Sequence, residues 1–282
     1  MDVGLEIPVF GASAASRVVQ LGASRIELNA AGSYPAGGLT PSLEDLRRIA
    51  SINVPIRIMI RPRGPLPQSS ARDFVYSDQE FEEMEVAIQS FKRTGWLNKE
   101  RGDGFVFGIL KEDPPTSKES SAQLRRCWVD KERCSRLVTA AQPFKTVFHR
   151  AFDEIVSCDD EGQDISERDA WKIGLSDLAI CGFDAILTSG GLGNAIQNVA
   201  LLESIVTRAE GFNIEIIAGG GIRRHNVKEI SQHLKLKERK ISGFVHSACL
   251  SSVGSEDIDV EEVEAILSQL DRHHLILSIT AV

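Results

Sequence analysis

Residues Lys145 to Asp153 read KTVFHRAFD: a short apolar run that ends, within a few positions, in an imidazole, a guanidinium and a carboxylate. The C-terminal end of a buried parallel strand has this composition where it opens onto a site. Other runs end the same way. Arg25 to Asn29 (RIELN), Ile56 to Arg63 (IRIMIRPR), Ala185 to Gly191 (AILTSGG), Ile214 to Gly221 (IEIIAGGG) and Gly243 to Ala248 (GFVHSA) all pass from apolar residues into polar residues or glycines. The expectation is that these ends meet.

Helix signals lie between the runs. Ser77 and Glu80 form a capping box ahead of Phe81, Met84, Ile88 and Phe91, which share one helical face. Thr40 reads as an N-cap with Pro41 at the first helical position, and Gly22 and Gly182 as helix terminators. Strand and helix alternate eight times in 282 residues. This predicts an α/β fold: a (β/α)8 TIM-type barrel forming one domain over 1–282, with surface insertions at about 111–128 and 156–167. An open doubly wound sheet has the same alternation. Closure is favoured by the glycine-rich ends after the sixth, seventh and eighth strands, where barrels often bind phosphate.

The net charge of −8 is spread along the helices, which argues against nucleic acid and anionic lipid as partners. No run approaches the roughly 18 apolar residues of a membrane helix, and MDVGLEIPVF has no secretory pattern, so a cytoplasmic location is expected. Five cysteines with no C-x-x-C pair indicate reduced thiols rather than a disulfide or zinc framework. Against the acidic whole, Arg61, Arg63, His149, Arg150, Arg223, Arg224, His225 and His246 all follow strands, which predicts a basic mouth for a small anionic ligand.

Gly219, Gly220 and Gly221 between a strand and a helix would leave backbone N–H groups free to converge on an oxyanion, with Ser247 opposite and Ser189 and Gly190 completing a cup. Arg61 and Arg63 lie on one side of an extended segment, as anion clamps or as partners of an acid such as Glu27. Arg150 belongs to the same mouth. His149 is a candidate acid, base or metal ligand, with Asp153 four residues on to orient it, and His246 shares the candidacy. Glu27 ends an apolar strand as a site acid or an ion-pair partner, and Glu6 poses the same question more weakly.

In order along the chain, RIEL at Arg25, GGLTPS at Gly37, MIRPRG at Met59, DFVYSD at Asp73, TVFHRAFD at Thr146, LTSG at Leu187 and AGGGI at Ala218 resemble the CutC copper-homeostasis family from about Leu5 to Ala248. The resemblance implies a cytosolic (β/α)8-type barrel associated with copper tolerance or copper binding, often as a homo-oligomer. Family members commonly carry cysteines at two positions that are Pro8 and Asn29 here, neither of them a ligand for a soft ion. Copper as cofactor therefore rests on the resemblance alone, with His149, His246 and Cys249 as candidate ligands. The other departures are the two insertions and the short ending after Cys249.

The leading expectation is a CutC-like copper homeostasis protein with a small-anion site at the barrel mouth. The alternative is a barrel enzyme of lyase, isomerase or hydrolase type acting on a phosphorylated or carboxylated metabolite. It would use Glu27, Arg61, His149 and Asp153 as catalytic groups, and Arg63, Arg150, Ser189, Gly190, Gly219, Gly220, Gly221 and Ser247 to hold the ligand.

Overall fold

The apolar runs form ten strands in chain order. These are β1 (Gly4–Phe10), β2 (Arg25–Asn29), β3 (Ile56–Met59), β4 (Gly104–Phe107), β5 (Leu110–Glu112), β6 (Cys127–Val129), β7 (Lys145–Phe148), β8 (Ala185–Thr188), β9 (Glu215–Ala218) and β10 (Phe244–His246). In this computed structural model, which describes residues 3–66, 72–113, 126–158, 169–241, 243–252 and 254–270, eight of them close a parallel barrel in the order β1-β10-β9-β8-β7-β4-β3-β2. The joint pairs Glu6 with His246 and with Arg25. The barrel is closed, so the open doubly wound alternative falls away.

Around it run α1 (Ala15–Leu21), α2 (Leu43–Ile49), α3 (Asp78–Arg93), α4 (Lys131–Ala141), α5 (Ala151–Val156), α6 (Ala170–Cys181), α7 (Val199–Ala209), α8 (Val227–His233) and α9 (Val260–Gln269). No helix among the described residues is long and apolar enough to cross a membrane.

Side chains alternate across each strand with a period of two, and this divides the core. Ile7, Ile26, Ile58, Phe107 and Ile186 face outward into the main cluster under the helices. Met59, Val106, Val147, Ala185, Leu187 and Ile217 form a separate cluster inside the barrel. The next inward positions toward the strand C-termini carry Asn29, Arg61, His149 and His246, so a single geometric rule delivers polar groups to one end.

Local signals hold where they rest on capping chemistry. Ser77 and Glu80 make the expected reciprocal box, and Gly22 ends α1 in the left-handed region at φ 111. Thr40 does not cap α2. Ser42 does so with Asp45, while the Thr40 hydroxyl accepts from the Arg61 N–H at 2.8 Å and donates to the Arg61 carbonyl at 3.1 Å. Pro41 consequently lies ahead of the helix, and Thr40 fastens the glycine-rich loop to the end of β3.

Residues 114–125 and 159–168, the bulk of both expected insertions, lie outside the described residues. The first is flanked by an antiparallel ladder from β5 to β6 in which Leu110, Cys127 and Val129 are buried, so its base belongs to the core. The second follows α5, whose last residue, Val156, is also buried.

At the N-terminal end of the barrel the interior is ionic. Arg25 is buried with its Nε on Glu6 and its Nη2 on Glu215 at 2.7 Å, and its guanidinium carbon lies 3.7 Å from the centre of the Phe244 ring. Arg25→Ala would leave the buried Glu6 with His246 alone and deprive the partly buried Glu215 of its partner. It is expected to cost about 3–5 kcal/mol, seen as a lower denaturant midpoint at unchanged slope; a loss under 1 kcal/mol would show that the site rehydrates freely.

Candidate functional site

The strand C-termini surround a cavity of about 550 Å³ lined from all around the barrel, including Glu27, Asn29, Arg61, His149, Arg223 and His246. Gly220 and Gly221 line it too, at φ 91 and φ 70, backbone that other residues adopt with strain. A Cβ on Gly220 would sit 2.7 Å from that of Ser189, so the turn passes as close to β8 as a backbone can. Among the described residues the N–H groups of Gly220, Gly221 and Ile222 meet no acceptor, whereas that of Gly219 is used by the Thr188 carbonyl at 2.9 Å. Beside them Arg223 makes only a 3.5 Å contact from Nη1 to the Ser247 hydroxyl. Free backbone donors at this place, on the loop after the seventh barrel strand, are of the kind that can receive an oxyanion.

Ser189 and Gly190 do not complete the cup. Their N–H groups and that of Gly191 turn inward, to the Asp153 carboxylate at 3.0 Å, the Thr188 hydroxyl at 2.9 Å and Asp153 at 3.3 Å respectively. The buried Asp153 also accepts from the hydroxyls of Thr188 and Ser189 and from Arg150 Nε. It organises the β8 loop and does not orient His149. Arg150 lines the cavity, held by Asp153 and by the Ser189 hydroxyl at 2.9 Å. Ser247 lines it as well, but its hydroxyl donates to the Ile222 carbonyl at 2.7 Å.

Arg61 donates to the carbonyls of Ala36 and Gly37 at 2.8 and 3.0 Å and pairs with Asp73 at 2.7 Å, so its guanidinium clasps the loop beside the mouth. Glu27 is not its partner. Arg63 is outside the cavity lining and is taken up by Glu80 at 2.6 Å and the Val75 carbonyl at 2.8 Å. With Arg61 and Arg150 both paired, and Arg224 taken up by Glu262, the cavity-lining guanidinium without a carboxylate partner among the described residues is that of Arg223. Arg223 stood among the basic residues after strands but not among the expected ligand groups; its position two residues past the triple glycine was the available signal.

His149 is buried, and its Nδ1 accepts from the Ala151 N–H at 3.2 Å, which leaves the proton on an Nε2 that has no partner. Burial and the nearby Arg61 hold its pKa down at about 3, so it is a neutral donor. Gly108 supplies the space, since a Cβ there would meet the ring at 2.8 Å.

Across the cavity His246 Nδ1 lies 2.7 Å from Glu6 Oε1. Despite burial, the Glu6 hydrogen bond and the charge of Glu27 raise the His246 pKa above its ordinary 6.5. Glu27 Oε1 accepts from Asn29 at 3.1 Å while Oε2 has no partner, and burial pushes the Glu27 carboxyl up.

The expected copper ligands do not assemble. Cys249 is buried outside the cavity lining, with burial raising its thiol to about 11. Pro8 and Asn29 do line the cavity, and they bring no sulfur. Donor atoms of Glu6, Glu27 and His246 lie within 4.8 Å of one another, but these are oxygen and nitrogen, unsuited to copper(I).

The two imidazoles should titrate oppositely. The stabilisation from keeping His149 neutral is complete above 6.5 and lost as pH falls toward about 3, whereas the protonated His246 pair is complete below 6.5 and lost as pH rises through its higher folded value. In imidazole NMR His149 should stay neutral from about pH 8 to 5 while His246 keeps its proton above 6.5; the reverse order would overturn both environments.

Residues 3–244 match the model of the CutC family. The copper homeostasis protein cutC homolog of Homo sapiens is 33% identical over 227 residues, covering 80% of this chain and 68% of that protein. A CutC family protein of Treponema denticola is 35% identical over 210 residues, covering 74% and 68%. The crystal structure of a CutC protein from Streptococcus agalactiae superposes with a TM-score of 0.65 at 26% identity, covering 88% of this chain and 99% of that one. With its closed barrel and a family match over most of its length, this chain belongs to the CutC family.

Proposed function

We propose that this chain serves copper homeostasis, as the names of its relatives state, in the cytosol, and that its barrel mouth binds a small phosphorylated or carboxylated molecule rather than copper(I). One observation carries the mouth assignment: among the described residues three consecutive N–H groups, from Gly220 to Ile222, meet no acceptor and lie beside the guanidinium of Arg223, which has no carboxylate partner and only the 3.5 Å contact to Ser247. Unpaired donors next to a free cation favour an anion that restores the missing hydrogen bonds. The neutral His149 adds an N–H donor for a carbonyl or hydroxyl oxygen of the same ligand.

Calorimetry with inorganic phosphate tests the cradle. Wild type should bind, and Arg223→Ala should weaken binding about 10- to 100-fold, the worth of one charge-assisted hydrogen bond. Arg63→Ala should leave the affinity unchanged, because that side chain lies outside the cavity lining. Equal affinity in Arg223→Ala and wild type would remove the anion site.

A second reading, an enzyme moving protons on such a metabolite, is favoured by the Glu6 to His246 pair. A carboxylate on Nδ1 fixes the tautomer that presents Nε2, and the Glu27 carboxyl, pushed up by burial, lies close by as a second acid–base group. This differs from the sequence expectation, in which His149 was the proton carrier. Phosphorylated carbonyl compounds incubated with the protein in deuterated water should take up solvent deuterium, and His246→Asn should abolish the uptake while preserving phosphate binding. Uptake persisting in that variant would dismiss His246 as the acid–base group.

A further inference from the structure

Two thiols distant in sequence meet away from the mouth. Cys127 on β6 and Cys158, just past α5, bring their sulfurs to 3.5 Å. The Cys127 N–H donates to the Cys158 sulfur at 3.2 Å, and Arg72, paired with Glu112 and Glu154, acts electrostatically on both sulfurs. The Cys127 thiol, the N–H donor and the nearby guanidinium favour thiolate at Cys158, while the Cys158 sulfur and burial push the Cys127 thiol up, so that the pair shares one proton until a metal displaces it. Cys127 is 4% exposed and Cys158 half-buried, so the pair is shielded yet reachable. It stands where each polar insertion joins the barrel, and α5, which begins at Arg150 on the mouth, ends beside it.

We propose that Cys127 and Cys158 form a two-thiolate site for copper(I), placed outside the barrel mouth. The proposal rests on the copper reading above and gives it a physical seat in this chain, where the mouth has Pro8 and Asn29 instead of thiols. Thiolate sulfur selects soft monovalent copper, whereas zinc calls for about four ligands. Among the described residues the only cluster of three or more metal-ligating groups is the one at Glu6, Glu27 and His246, and it includes neither cysteine.

On binding, the shared proton is released to solvent and two copper–sulfur bonds form. No electron is transferred. Copper(I) and two thiolates sum to one negative charge, in the field of the Arg72 guanidinium and of the Glu112 and Glu154 carboxylates that pair with it.

The test is an anaerobic titration of the reduced protein with copper(I) against a chromophoric copper(I) chelator, with X-ray absorption on the product. One equivalent should bind through two sulfurs. Cys127→Ser and Cys158→Ser should each weaken binding by more than the roughly 100-fold that bounds loss of an outer-shell partner. Cys134→Ser, Cys181→Ser and Cys249→Ser should bind as wild type does.

Circular dichroism and retained phosphate binding at the mouth confirm that the variants fold. Undiminished binding in Cys158→Ser overturns the proposal, as does a wild type that ignores copper(I) but binds phosphate; the latter leaves the anion site standing. Oxidation of the pair to a disulfide with no copper(I) uptake after reduction also overturns it. If the variants lose copper(I) while cells carrying them keep normal copper tolerance, the metal site holds and the homeostasis reading fails.

Discussion

A buried guanidinium holds the barrel closed where its first and last strands meet. Arg25 on β2 reaches Glu6 on β1 and Glu215 on β9, and Glu6 in turn holds His246 on β10. Four strands are tied through this chain of charges, in which Arg25 and Glu6 each hold two partners. Glu6 is held ionised down to about 2, despite burial, chiefly by Arg25. The stabilisation from its pairing is therefore present above the ordinary carboxylate range and lost as pH falls through about 2. The same carboxylate sets the tautomer of His246 in the cavity, so closure of the fold and the chemistry of the site share one group.

The interior above that network follows from alternation. One inward layer is apolar, and the next inward positions carry the polar groups of the mouth. Those groups are not equivalent in use. Asp153, Arg61 and Ser247 spend their hydrogen bonds on the loops that shape the cavity, while the N–H groups of Gly220, Gly221 and Ile222 meet no acceptor among the described residues. A group that is fully paired stabilises the site; an unpaired one in a cavity has been left a task. On this ground the positions most visible in the family motifs are largely scaffold.

The thiol pair and the polar groups of the mouth are separated in space. Oxygen and nitrogen atoms line the mouth beside the Met59 thioether, and two thiols stand together at the far end of α5. That separation reconciles relatives named for copper homeostasis with a mouth whose donors suit anions.

The sequence by itself determined the eightfold alternation, the capping box at Ser77, the left-handed stop at Gly22 and the end of each strand at which polar residues gather. All of these depend on residues within a few positions of one another. It also placed Glu27, His149, Arg150, His246 and the glycines from Gly219 at one face. Only the tertiary structure decided which of them remain free. Glu6 and His246 are 240 residues apart, and Cys127 and Cys158 are 31 apart. Thr40 illustrates the same limit: its cap signal was sound locally, and the end of β3 offered its hydroxyl two better bonds. Hydrogen-bond satisfaction is a property of neighbours in space, and barrel closure chooses those neighbours from units that local sequence patterns cannot relate.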